Sequence, residues 1–254
     1  METLKTSQKS NNCQELDNFD DTQIEVSGRG QYLYVYGIIS LEDLKSQKSK
    51  TPESKKSELK EDILKFNFNG LKEKSITIIP YKDIGVLISK YPFLNPILNE
   101  KEAMEHADIL KKIAKKTTIV PMAFGNVFRD KELLELILKK SYDVIRETLE
   151  QIRNKIELGV KVIKSNEDNI TMDEDKITAE ILNSLNNLSV KNVKGENFSE
   201  RLLLNHSFLV EKNNFSKFSN AIAKLEKKYK QLKFNYTGPW PPYSFVDIHI
   251  RGQK

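Results

Sequence analysis

The stretch KIELGVKVI, Lys155–Ile163, decides how the second half of this chain folds. Upstream of it the apolar residues recur at helical spacing, and from Ile156 onward they alternate. Ile156, Leu158, Val160 and Val162 take one face while Glu157, Gly159 and Lys161 take the other. That period of two marks a half-buried strand. Toward the C-terminus, a polar loop at Lys164–Asp175 precedes Ile177, Ile181, Leu185 and Leu188, whose spacing predicts a helix. Ser189–Ser199 reads as a second loop, and Glu200–Leu204 fits no single period. His206–Lys212, HSFLVEK, reads as a strand. Phe215, Phe218, Ile222, Leu225 and Tyr229 then recur at steps of three and four, an amphipathic helix, before Leu232, Phe234 and Tyr236 alternate again. This order predicts a split βαβ, ferredoxin-like sheet with its helices on one side.

The last of those strands runs into GPWPPYSFVDIHI, Gly238–Ile250, which holds the only tryptophan, Trp240. Proline fixes φ and pushes the residue before it into an extended conformation, so Gly238–Pro241 must be a stiff, extended corner. Phe245 and Asp247 alternating with Val246, Ile248 and Ile250 predict an edge strand beyond it. Two readings of the corner stand side by side. Burial habits favour a rigid aromatic corner that closes the C-terminal core. The weight of Trp and Tyr in binding hot spots favours a preorganised docking face.

In the first half, Tyr32–Ile39, YLYVYGII, is apolar on both faces and predicts a central strand. Leu41 to about Asp62 reads as a solvated loop with a short helix at its end. Ser75–Pro80 and Asp83–Ser89 predict a hairpin turning at Tyr81–Lys82. Asn99 and Glu102 have capping-box spacing ahead of a helix whose apolar face holds Ala103, Ala107, Leu110, Ile113 and Ala114. Pro121 within Thr118–Phe128, TIVPMAFGNVF, demotes that extended run to an edge or a bulge. Asp130 can cap the longest helix, striped by Leu134, Leu138, Ile145, Leu149 and Ile152. We therefore expect a mixed α+β protein in four parts. These are a disordered tail over 1–30, an N-terminal α/β domain over 31–130, a bridging helix over 131–155 and a C-terminal ferredoxin-like domain over 156–254. The tail is too polar to offset its ordering entropy.

Charge narrows the function. The 41 basic and 36 acidic residues leave a net charge of +5, with the two signs interspersed. No dense basic stripe carries interleaved aromatics, so nucleic acid is not the expected partner. No apolar run approaches the ~18–20 residues of a membrane helix. The single cysteine, Cys13, fits a reducing compartment, and the expected location is the cytoplasm. His106, His206 and His249 show no metal-ligand spacing, and each reads as a surface or partly buried histidine. GRGQYL precedes a strand instead of following one, and no P-loop is present. The expectation is a protein without cofactor, metal, small-molecule substrate or catalysis.

Four blocks resemble the gas vesicle protein GvpF/GvpL family. They are the opening strand with Gly37; the run Ala103–Phe128, which ends in a T-x-x-P-x-x-F-G-x-V-F pattern; Lys155–Ile163; and SFLVE at Ser207–Glu211 together with GPWPPYSFV at Gly238–Val246. Ala123 departs from the basic residue many members carry before the Phe-Gly. The resemblance implies two α/β domains, the second ferredoxin-like, and a non-enzymatic accessory protein of gas vesicle assembly located at the vesicle. The implied partners are the small hydrophobic major shell protein of the GvpA type and other accessory vesicle proteins. With that role in view, Pro239, Trp240, Pro241, Pro242, Tyr243 and Phe245, and behind them Phe124 and Phe128, become the expected contact residues. The alternative is a generic adaptor or nucleic-acid-binding protein on a ferredoxin-like fold. It expects paired aromatics on central strands within a basic run, which HSFLVEK and LKFNYTG lack.

Overall fold

The computed structural model describes residues 31–48, 65–97, 99–165 and 173–246. The expected tail, Cys13 and His249 lie outside these residues. The chain opens with β1 (Tyr32–Ser40) and runs directly into α1 (Leu41–Lys48), followed by β2 (Lys65–Asn69), β3 (Ser75–Tyr81) and β4 (Ile84–Tyr91). The expected loop after Ser40 is thus corrected at its start: Leu41 is buried, and it anchors a short helix there. β3 and β4 form the predicted hairpin, turning through Lys82, which adopts a left-handed conformation. α2 (Glu100–Ala114) starts at Asn99, whose side chain accepts the Glu102 N–H at 2.8 Å. β5 (Ile119–Pro121) and β6 (Val127–Phe128) pair with successive parts of β1. β1 therefore lies between β4 and these two short strands, in a sheet ordered β2-β3-β4-β1-β5.

Because β1 is apolar on both faces, each face of this sheet carries a core. One face buries Val35, Ile38 and Phe128 under α3 (Lys131–Ile152), whose stripe Leu134, Leu138, Ile145, Leu149 and Ile152 lies wholly inside it. Asp130 caps α3, accepting the Leu133 N–H at 2.8 Å. The helix read as a bridge thus packs its length along the first sheet. The opposite face buries Tyr34, Tyr36 and Ile39 beneath Ile109, Leu110 and Ile113 of α2.

The second half runs β7 (Lys155–Lys164), α4 (Glu174–Asn186), β8 (Lys191–Lys194), β9 (Leu202–Glu211), α5 (Phe215–Lys228) and β10 (Leu232–Trp240). Its antiparallel order β10-β7-β9-β8 is the ferredoxin-like βαββαβ arrangement. β8 falls inside the stretch expected to be loop. It is a short, polar edge strand that needs no apolar period. α4 and α5 cover one face with a core of Leu158, Val160, Val162, Phe208, Phe218 and Ile222. Beyond Trp240, Tyr243–Phe245 forms a short 3-10 turn where an edge strand was expected to start, and the rest of that strand lies outside the described residues.

Candidate functional site

β10 brings the Trp-Pro corner onto the second sheet. Phe234 and Tyr236 pair with Val162 and Val160, and after an irregularity at Thr237 the register resumes with Trp240 opposite Glu157. Gly238 makes that irregularity possible. Its φ is +115°, and a Cβ there would sit 2.8 Å from the Glu157 carbonyl oxygen. Pro239 is exposed, Trp240 half-buried, and Pro241 and Pro242 buried. The chain then folds back over β7. The Tyr243 N–H bonds the Pro241 carbonyl at 2.8 Å, and the Phe245 N–H bonds that of Pro242 at 3.2 Å.

Glu157 holds this turn down. Its two carboxylate oxygens accept the Ser244 N–H at 2.8 Å and the Ser244 hydroxyl at 2.6 Å, with the Ser207 hydroxyl 3.2 Å from the latter. The glutamate is buried although it lies on the face away from the helices, because the returning chain covers it. Val246, two residues on, packs against the core beneath α3. From the other side, the Lys111 ammonium of α2 stands 4.1 Å from the centre of the Trp240 ring, within cation–π range. The corner therefore joins the two sheets.

The expected contact residues separate accordingly. Phe128 is fully buried, opposite Leu33 of β1, and it offers no surface; its place in the expected set is corrected by its packing. Phe124 is half-buried, edge-on to His106 at 5.8 Å. Phe245 is half-buried, and Tyr243 keeps 38% of its surface open. Desolvation first, and the Glu157 charge second, nevertheless push the Tyr243 hydroxyl well above the ordinary phenol range. Phe124 lies beside Tyr34, ring centres 6.3 Å apart, and the Tyr34 hydroxyl accepts the Gly125 N–H at 3.2 Å.

Next to Tyr34 lies a polar cluster that spacing did not reveal. His106 is buried, deeper than the surface or partly buried position expected for it. Its Nε2 donates to the Met122 carbonyl at 3.0 Å, so Nδ1 accepts the Tyr34 hydroxyl at 2.8 Å. Burial lowers its pKa to about 4, with the Met122 carbonyl working in the opposite direction. Burial opposes ionisation of Glu102, but hydrogen bonds from Lys72 and Tyr91, each 2.7 Å, hold its carboxyl below the usual range. The remaining feature of the site is an open groove of about 500 Å³ between the C-terminal end of α2 and the start of α5, walled by Trp240 and Pro239. Among the described residues, no three His, Cys, Asp or Glu side chains cluster as metal ligands, and no helix is long and apolar enough to cross a membrane.

A family model for gas vesicle synthesis protein GvpL/GvpF matches residues 32–172 and 164–247. The chain belongs to that family. It is 30% identical over 226 residues to gas vesicle protein F1 of Halobacterium salinarum, a match covering 87% of this chain and 96% of the relative. Gas vesicle protein F of Haloferax mediterranei is 30% identical over 223 residues, covering 86% of this chain and 94% of that one. In structure, the chain resembles the crystal structures of GvpF from Anabaena sp. and Microcystis aeruginosa, each with a TM-score of 0.69. These cover 88% and 85% of this chain and 99% of each of theirs, at 17% and 15% identity. Membership supports a role in gas vesicle assembly.

Proposed function

We propose that the chain is a non-enzymatic accessory protein of gas vesicle assembly that binds the hydrophobic major shell protein and works alongside other vesicle proteins. One observation carries the binding part of this reading. The Trp-Pro corner is locked from behind by Glu157 and Val246, yet it leaves Pro239, part of Trp240 and the Tyr243 ring on the surface. Apolar rings held rigid before contact lose little conformational entropy on binding. A shell subunit with exposed apolar surface needs such cover until it is added to the shell. We include in the proposal a location at the vesicle and a division into an N-terminal and a C-terminal domain. The separate cores of the two sheets support that division.

Co-expression with the shell protein tests the reading, comparing the intact chain with Trp240→Ala and Tyr243→Ala. The shell protein is expected to stay dispersed with the intact chain and to sediment when both rings are lost. Equal dispersal with all variants would remove the corner from the contact surface. A truncation at Thr237 is less informative, because it also removes Ser244 and Val246 and so loosens the fold itself.

A further inference from the structure

The groove beside Trp240 has a chemistry of its own. Its apolar wall is built by Ala114, Ile156, Phe215 and Trp240, and its rim by Lys111, Lys115 and Lys212. Among the described residues, no carboxylate lines it. Lys111 is paired with Asp108 on its own helix at 3.2 Å. Lys212 reaches across to the Ala114 carbonyl at 3.2 Å, and desolvation lowers its pKa even though Asp43 pulls the other way. The volume of about 500 Å³ lies within the range of ~300–1,000 Å³ of ligand sites. The groove is open and runs beside β10, an edge strand of its sheet. That shape suits side chains projecting from a polypeptide that passes by, in preference to a small molecule enclosed whole.

We propose that this groove takes a protein segment presenting apolar side chains flanked by carboxylates, the former seated on Trp240, Phe215 and Ile156 and the latter meeting the three lysines. Charge complementarity argues for that occupant. An uncharged apolar segment would desolvate the lysine rim while bringing no carboxylate to meet it, and a basic one would be repelled. The inference stands on the groove's own residues and holds whichever protein supplies the segment.

Trp240 is the only tryptophan, so its emission reports occupancy directly. The full chain is titrated with a short amphipathic peptide of leucine and glutamate, with the same peptide carrying lysine for glutamate, and with a straight-chain fatty carboxylate. A saturable blue shift is expected with the glutamate peptide alone, weakening as salt is raised. Lys115 is exposed, so Lys115→Glu leaves the fold intact, and it is expected to weaken binding by about fivefold. Adding Lys111→Glu should weaken it further. The proposal is overturned if the glutamate peptide gives no saturable shift, if the lysine peptide or the free carboxylate binds as well, or if Lys115→Glu binds unchanged.

Discussion

Glu157 accepts both donors of Ser244, a residue 87 positions further along the chain, and so fastens the final turn to the second sheet. Hydrogen bonds to a charged group contribute about 1.5–3 kcal/mol each when buried. Ser244 is itself exposed, so water replaces part of what it loses. We expect Glu157→Ala to destabilise the protein by about 2 kcal/mol, and Ser244→Ala by about 1 kcal/mol because its N–H bond survives. Urea unfolding measures both. Trp240 emission should shift to the red in the native state of Glu157→Ala, as the corner behind it loosens. Unchanged emission together with unchanged stability would mean the latch holds nothing.

Phe128 and Tyr243 differ in what they touch, and their alanine variants should differ in kind. Phe128 is fully enclosed beside Val35 and Leu134, so Phe128→Ala opens a cavity and should cost about 3–5 kcal/mol. Tyr243 keeps 38% of its surface open, and Tyr243→Ala should cost less, about 1–2 kcal/mol. Thermal melts separate the two directly. If Phe128→Ala melts like the wild type, its placement in the first core is wrong.

His106 ties stability to pH. Its folded pKa of about 4 lies below the ordinary 6.5, so between those values the unfolded chain binds a proton that the folded chain does not. Stability is therefore fully present above pH 6.5 and declines as pH falls toward 4. The full effect is about 3 kcal/mol, from ~1.4 kcal/mol per pH unit. Glu102, with its lowered pKa, adds a loss in the acidic carboxylate range. Imidazole nitrogen spectra isolate the histidine: the neutral Nε2-protonated tautomer should persist to about pH 4. Protonation near pH 6.5 would remove this account.

The period switch at Ile156 made the second sheet legible, because alternation and helical spacing each place a known face against one core. The Asn99 and Asp130 caps were legible for the same local reason. What escaped was set at long range or by edges. Lys191–Lys194 is a strand only because β9 offers it a partner, and its lysines face water. Glu157 read as solvent-facing, and it is buried by a turn whose position no local pattern encodes. His106 sits among Ala103, Ala107 and Leu110 in a helical stripe, but its burial depends on Tyr34 and Met122. The lysine rim of the groove reads in sequence as ordinary solvated charge. Only the fold sets Lys111 of α2 and Lys115 just beyond its end opposite Lys212.

Gly238 places the corner, and it should tolerate no side chain. Its φ of +115° lies in territory that L side chains rarely adopt, and such backbone strain costs of order 1–3 kcal/mol. An added methyl would also stand 2.8 Å from the Glu157 carbonyl oxygen and 3.1 Å from Leu158 Cδ2, both parts of a packed sheet. The strand must therefore move away from β7 to admit it, carrying Trp240 with it. We expect Gly238→Ala to lower stability by about 2–3 kcal/mol and to loosen the contact between Lys111 and the Trp240 ring. Denaturant unfolding followed by tryptophan emission and, separately, by circular dichroism reads both effects. A variant with native stability and native emission would show that the glycine is not what sets the corner's geometry.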